Sequence, residues 1–482
     1  MKPLLFNAEE MRRYSLGPDH PMGPDRVRLA HELADYFHLT EEFEVVEPAA
    51  ATTAELTAVH SPDYITATRL EVPARRFGLG TEDNPISHGL STVAARIAGA
   101  SLQATQAVWE GRAPRALNLA GGLHHAFADS MSGFCMYNDA AVAIQWLLDQ
   151  GATRVAYLDL DAHHGDGVER IFWDDPRVLT ISVHESGLYL FPHSGFAHDI
   201  GGPGAEGTAV NIALPRSPSD AAWLHAVHAL IPALLSRFRP QLLISQHGAD
   251  PHAADPLADL EVSIDAMAHA YRSVAAWADQ YANGKWVALG GGGYNLDSVA
   301  RAWTHVTAAV AGVDLDPAAP MPKGWHGSAT LGDFGSARPD FTEFDPRQVL
   351  ATRPEPASCR PPARSSPTGG FPPTARPPYP ATPRRGCCGA PYRPGGHPLG
   401  EREIELDCLP YLVHSTNSIL STRSTTFHSS TNPSSVSIAS PLSKPLKMYW
   451  QLNVAVSPDI GMSTAKAILK GVASVDHFSR ES

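Results

Sequence analysis

The sequence predicts an α/β fold in which helices cover both faces of a parallel β-sheet. Two patterns predict it. From the N-terminus to about residue 345, strand-like segments alternate with helix-like segments of ten to twenty residues, and the clusters richest in His, Asp and Gly directly follow the strands. Such alternation demands crossover connections, which bury a parallel sheet on both faces. Ligands of an open parallel sheet lie beyond the carboxyl ends of its strands.

The elements run as follows. AARIAGASLQATQAVWEG (94–111) repeats apolar residues at helical spacing, and the short apolar RALNLAG (115–121) reads as a strand. DAAVAIQWLLDQG (139–151) is the next helix, followed by the strands RVAYLDLD (154–161) and RVLTISVH (177–184). A long helix around Ala221–Phe238, the strand QLLISQ (241–246), a helix over 263–283 and the strand KWVALGG (285–291) complete the pattern. Five clusters follow the strands: LHH, DAHHGD, HES, QHGAD and GGGGYN. Their loops are expected to converge on one site.

Totals bound the partners. Of 482 residues, 43% are hydrophobic, enough for at least one large core. The net charge is −13, but residues 1–346 carry −20 and residues 347–482 carry +7. A body that acidic repels nucleic-acid phosphates and suits a cationic partner such as a lysine-rich segment; an ordinary acidic, soluble surface reads the same way. The opening MKPLLFNAEEMRRY and the lack of long uncharged apolar runs predict neither a signal peptide nor a membrane span, so the cytoplasm is the expected location. Of five cysteines only Cys135 lies in the first 350 residues, and no CxxC pair occurs, which argues against a disulfide framework or a cysteine zinc site.

The texture changes after residue 345. Residues 354–398 hold 14 of the 42 prolines, and 413–443 is Ser/Thr-rich without periodicity. Neither stretch can bury enough apolar area to offset its ordering entropy. The expected organisation is a catalytic domain over 1–345, a Pro/Arg-rich linker over 346–402 and a Ser/Thr-rich tail over 403–482. The last two read equally as translation out of frame from a GC-rich gene.

Chemistry concentrates in YLDLDAHHGDG (157–167). In extended chain, alternate residues share a side, so Asp159, Asp161 and His163 point together while Leu160 and Ala162 pack. Carboxylate and imidazole at that spacing suit a divalent metal, although polar residues at a strand end also satisfy one another. Asp250 in QHGAD, leaving another strand, is the natural third ligand, and one histidine with two carboxylates describes a catalytic rather than a structural zinc. The pair His124–His125 needs carboxylates to fix its tautomers, for which Asp159 and Asp166 are the spare acids; either ring alone also reads as a core histidine. The run Gly290–Gly293 lacks the Gly-Lys-Ser/Thr and GxGxxG spacings of phosphate loops and is better suited to deliver the Tyr294 hydroxyl to a developing oxyanion.

GGLHHA, SGFCMYND, YLDLDAHHGDGV, LFP, QHGADPHAADPL and GGGGYN, in this order over roughly residues 1–312, resemble the zinc-dependent histone deacetylase family, and within it the bacterial acetoin utilisation deacetylases. The resemblance implies the arginase/deacetylase fold, three layers around a mostly parallel eight-stranded sheet, and hydrolysis of N-acetyl-lysine in proteins to lysine and acetate. It implies Zn²⁺, with Fe²⁺ as an alternative, held by Asp161, His163 and Asp250. It makes His125 the general base backed by Asp166, His124 with Asp159 the electrostatic partner, and Tyr294 the donor to the acetyl carbonyl. It puts Gly133, Phe134 and Phe191 on the walls of a tunnel for the lysine side chain, Asp83 at its rim, and Arg26 at an inner acetate channel. It adds a structural K⁺ near Asp159, Asp161, His163 and Ser182. The implied substrate is an acetylated acyl-CoA or acetyl-CoA synthetase, with no nucleic acid or membrane partner.

Two features depart from the family. PHSGF (192–196) replaces the usual Pro-Gly-Thr-Gly run at the tunnel rim, and residues 346–482 match nothing in it. An acetylpolyamine amidohydrolase would use the same machinery, and an inactive acetyl-lysine-binding module is the alternative from another class. His164 has no expected role.

Overall fold

A computed structural model describes residues 1–334; the linker and tail lie outside the described residues. In chain order the elements are β1 (Leu4–Phe6), α1 (Asp25–Tyr36), β2 (Glu44–Val46), α2 (Thr53–Thr57), α3 (Pro62–Arg69), α4 (Leu90–Trp109), β3 (Arg115–Asn118), α5 (Asp139–Asp149), β4 (Val155–Asp159) and α6 (Asp166–Ile171). There follow β5 (Val178–Glu185), β6 (Ala209–Leu214), α7 (Asp220–Phe238), β7 (Leu242–Gln246), α8 (Ile264–Tyr281), β8 (Trp286–Leu289) and α9 (Leu296–Ala311).

The eight strands form one sheet in the order β2-β1-β3-β8-β7-β4-β5-β6, and every pairing is parallel. Strand alternation produces two cores. Val155, Tyr157, Leu242, Ile244, Val287 and Leu289 join α4 and α5 on one face. Ala156, Leu158, Leu179, Ile181, Leu243 and Ala288 join α7, α8 and α9 on the other. Every residue of β4, β5 and β7 is buried, which is why these strands read as apolar runs without a polar face.

The helices begin where side chains satisfy their first amides. Ser219, Ser263 and Asn295 accept from Ala222, Ala266 and Ser298, and Thr52 with Glu55 closes a capping box. The expected strands end early: β3 stops at Asn118 and β8 at Leu289, because the Gly pairs that follow turn the chain into the site. The three-residue strand β1 and the edge strands β2 and β6 carry no distinct signal in the sequence.

One topological detail positions everything else. After β3 the chain skips to β4, builds outward through β5 and β6, then returns to lay β7 and β8 into the gap. The loops after β3, β8, β7 and β4 therefore lie side by side, within roughly 15 Å of one another at ~4.8 Å per strand.

Candidate active site and metal centre

The alternation of β4 continues past its last paired residue. Leu160 and Ala162 pack into the core beneath α7–α9, while Asp161 and His163 turn to the other side and meet Asp250 from the loop after β7. One ligand atom from each of these three buried residues falls within 4.8 Å of the others. His163 Nδ1 lies 3.1 Å from Asp161 Oδ1 and 3.0 Å from Asp250 Oδ2.

The remaining carboxylate oxygens are already satisfied. Gln246 Nε2 and the Gly292 amide donate to Asp161 Oδ2 at 2.7 and 2.8 Å, and the Ala162 amide donates to Asp250 Oδ1 at 2.8 Å. What converges is one nitrogen and two carboxylate oxygens, a donor set that fits a divalent cation. Burial and the neighbouring Asp161 carboxylate push Asp250 up to about 7. Two acids crowded out of water against one imidazole lack the positive charge such a cation brings. Gly292 is required here, since a Cβ would collide with the carboxylates of Asp250 and Asp161.

The tandem histidines follow β3. Asp139 at the start of α5 accepts the amides of Gly122 and Leu123 at 2.8–3.1 Å and shapes the turn that presents them. Asn138 caps α5 through Ala141, and its amide donates to the carbonyls of His124 and Ala126 at 3.2 and 2.9 Å. His124 Nδ1 is 2.8 Å from Asp159 Oδ2, and His125 Nδ1 is 2.6 Å from Asp166 Oδ1. Tyr157 donates to the same Asp159 oxygen at 2.8 Å.

The two dyads differ electrostatically. Burial opposes charge on His124, but Asp159 and Asp161 overcome it and push the ring up to about 9. For His125 burial and repulsion from His124 outweigh Asp166, and its pKa is pushed down to about 4. One imidazole is thus held charged beside a neutral one. With Nδ1–H donated to Asp166, Nε2 of His125 is the position free to take a proton.

Gly133 backs His125 so closely that a Cβ would strike the ring. The Phe191 ring stands edge-on to His125 with centroids 5.0 Å apart, and Phe134 edge-on to Tyr294 at 5.7 Å. Asp83 is exposed on a loop whose neighbour Asn84 accepts the Phe134 amide at 2.9 Å. Arg26 is buried and donates to the carbonyls of Gly291 and Gly293, with Tyr294 and Trp303 against its guanidinium. A cavity beside Arg26 is lined by Met11, Tyr14, Met22 and Leu123. Ser182 sits opposite Asp159 in the β4–β5 register, its hydroxyl 2.8 Å from His184 Nδ1. Every residue expected at the site except the exposed Asp83 and Phe191 is buried or half-buried at this one edge of the sheet.

Sequence reasoning missed three supporting residues. Gln246 holds Asp161, Asp139 holds the histidine turn, and Asp255 accepts the Tyr294 amide at 2.6 Å. Gln246 and Asp255 stood in view inside QHGADPHAADPL, but polar residues that brace a loop carry no spacing signal of their own.

The geometry has counterparts elsewhere. A histone deacetylase domain model matches residues 20–310. The chain is 40% identical over 368 residues to the acetoin utilization protein AcuC of Bacillus subtilis (strain 168), covering 72% of this chain and 95% of that one. It is 34% identical over 326 residues to the AcuC of Staphylococcus xylosus, covering 66% and 84%. The crystal structure of an HDAC homologue from Aquifex aeolicus superposes with a TM-score of 0.61 at 34% identity, over 66% of this chain and 86% of that one. With the domain match, the sequence identities and the fold in agreement, the chain belongs to the histone deacetylase family and is a hydrolase of the deacetylase type.

Proposed function

We propose that this protein removes acetyl groups from lysine side chains of proteins, releasing lysine and acetate, with a divalent metal held by Asp161, His163 and Asp250. The convergence of those three donors beside two carboxylate-backed histidines is the observation that carries the reading. Zinc is the metal we assign, and iron the alternative. When bound, it supplies a Lewis acid for an amide carbonyl and acidifies a water.

The chain's own residues do the rest. His125, neutral and oriented by Asp166, takes a proton at Nε2 and returns it to the leaving amine. His124, charged against Asp159, stabilises developing negative charge. The Tyr294 hydroxyl makes no hydrogen bond to the described residues and is held neutral by burial, so it donates to the oxyanion. Gly133, Phe134 and Phe191 wall the lysine methylenes, Asp83 grips the substrate backbone, and Arg26 lines the way out for acetate. Backbone oxygens of Asp159, Asp161 and His163 with Ser182 hold K⁺.

We assign residues 1–345 as the catalytic domain, the cytoplasm as its place, and an acetylated acyl-CoA or acetyl-CoA synthetase as its substrate; the names of the AcuC relatives support a role in acetoin use. The test combines metal analysis with acetate release. Purified protein should carry one Zn²⁺ or Fe²⁺ per chain and turn over an acetyl-lysine peptide, and Asp250→Ala should lose both. Faster turnover of acetylputrescine than of the peptide would overturn the protein-lysine reading.

A further inference from the structure

His164, the residue after metal-ligand candidate His163, is 2% exposed and not part of the chemistry above. Its ring bridges two segments. Nε2 faces Glu169 Oε2 of α6 at 3.2 Å, off the line of a hydrogen bond, and Nδ1 lies 2.9 Å from Ser194 Oγ. The same Glu169 oxygen accepts from Asn211 of β6 at 2.7 Å, which anchors that side of the bridge in the sheet. A proton on the edge facing the carboxylate leaves Nδ1 to accept from the Ser194 hydroxyl.

A second buried imidazole holds the adjacent residue. The ring of His184, at the end of β5, lies tilted against that of His164 with centroids 4.8 Å apart, and donates from Nε2 to the Gly195 carbonyl at 2.8 Å. Gly195 is pressed so tightly onto both rings that a Cβ would collide with each. Two consecutive residues, Ser194 and Gly195, are therefore fixed by groups rooted in the sheet.

Phe191 lies three residues upstream on this loop. Its ring is 41% exposed yet stands 5.0 Å from His125 and 6.5 Å from His163. A ring open to water on that scale is placed chiefly by its backbone. Upstream the turn is closed by the Tyr189 amide on the Ser186 carbonyl. Downstream, His193 ties the loop back on itself, its amide to the Leu190 carbonyl at 3.1 Å and Nδ1 to the Gly187 carbonyl at 3.0 Å, and the nearest hold that ties the loop to the rest of the fold is Ser194, followed by Gly195.

We propose that Ser194, gripped by His164, is a positioning residue that fixes the Phe191 wall against His125, so that the loop carrying His163 also sets the width of the substrate entrance. The proposal rests on the reading that Phe191 flanks the acetyl-lysine side chain. Ser194 is the clean place to test it, because changes at His164 also disturb its neighbour His163.

The experiment measures KM, kcat and metal content of the full-length, metal-loaded protein with an acetyl-lysine peptide, for Ser194→Ala, Ser194→Thr, Phe191→Ala and the Ser194→Ala/Phe191→Ala double variant. Ser194→Ala should raise KM roughly five- to tenfold while kcat stays within about twofold and metal content is unchanged. Ser194→Thr, which keeps the hydroxyl, should restore KM. Adding Ser194→Ala to Phe191→Ala should change KM no further. An unchanged KM in Ser194→Ala, a full additional effect in the double variant, or loss of metal overturns the proposal. If Phe191→Ala itself leaves KM unchanged, the entrance assignment fails and takes this proposal with it, whereas acetate release by the wild type still judges the deacetylase reading.

Discussion

At the scale of single residues, the site is built from pairs in which one member acts and the other holds it. Asp166 orients His125, Asp159 orients His124, and Gln246 and the Gly292 amide steady Asp161. The Tyr294 hydroxyl has no hydrogen-bond partner among the described residues; its ring rests against Phe134 and Arg26, and its backbone amide donates to Asp255. Its hydroxyl should matter in the transition state alone. Tyr294→Phe is expected to lower kcat roughly 100- to 1,000-fold, about 3–4 kcal/mol, while metal content stays at the wild-type level. Wild-type turnover in that variant would remove the oxyanion role.

At the scale of elements, α5 does more than cover the sheet. Its cap, Asn138, satisfies Ala141 with its carbonyl oxygen, reaches two carbonyls of the histidine loop with its amide, and donates its own backbone N–H to His60 Nε2 at 3.0 Å. A helix start and a catalytic loop thus share one side chain. Asn138→Ala removes the cap and strands the buried Ala126 carbonyl, while the His124 carbonyl keeps the Val168 amide, a loss of roughly 2–3 kcal/mol. Urea unfolding should report that loss, together with reduced activity as the loop under His125 loosens. Activity unchanged at full metal occupancy would separate the cap from the site.

At the scale of the whole molecule, several histidines are folded away neutral. Burial lowers His31 and His305 to about 3 and His60 to about 4 from an ordinary 6.5. His60 shows why it must stay neutral: Nδ1 donates to the Phe127 carbonyl at 3.0 Å while Nε2 accepts from Asn138. In the unfolded chain these rings protonate as pH falls below 6.5, and in the folded chain they resist until pH 3–4. The unfolded state then binds more protons, so stability declines from pH 6.5 downward, by roughly 2 kcal/mol per histidine between pH 7 and pH 5. Urea titrations at the two pH values should show this fall, and His60→Asn should make it shallower; an equal pH dependence in that variant would contradict the assignment.

The same scale explains what was legible in the sequence. Parallel strands buried on both faces, such as RVLTISVH and QLLISQ, announce themselves as apolar runs, and the candidate metal and substrate residues cluster right after the strands. The strands at Leu4–Phe6 and Glu44–Val46 give no such signal for two reasons: Leu4–Phe6 is apolar and buried between two neighbours but only three residues long, and Glu44–Val46 lies exposed at the sheet edge, where no apolar run is needed. Residues such as Asp139 and Asp255 were hidden for another reason. They act through backbone amides, and an amide is present at nearly every position.

The late return of β7 and β8 into the gap between β3 and β4 also has a consequence in time. While the chain emerges from its N-terminus, β3 and β4 each present an unpaired strand edge, and the histidine pair and the Asp161–His163 pair sit on sheet halves that do not yet touch. Only when the strand ending at Leu289 has slotted in do these edges close. Contacts so distant along the chain are slow to form, and open strand edges invite pairing with other copies. Maturation of the active site therefore coincides with the last step of sheet closure, and an incompletely synthesised chain has neither catalytic power nor protected edges.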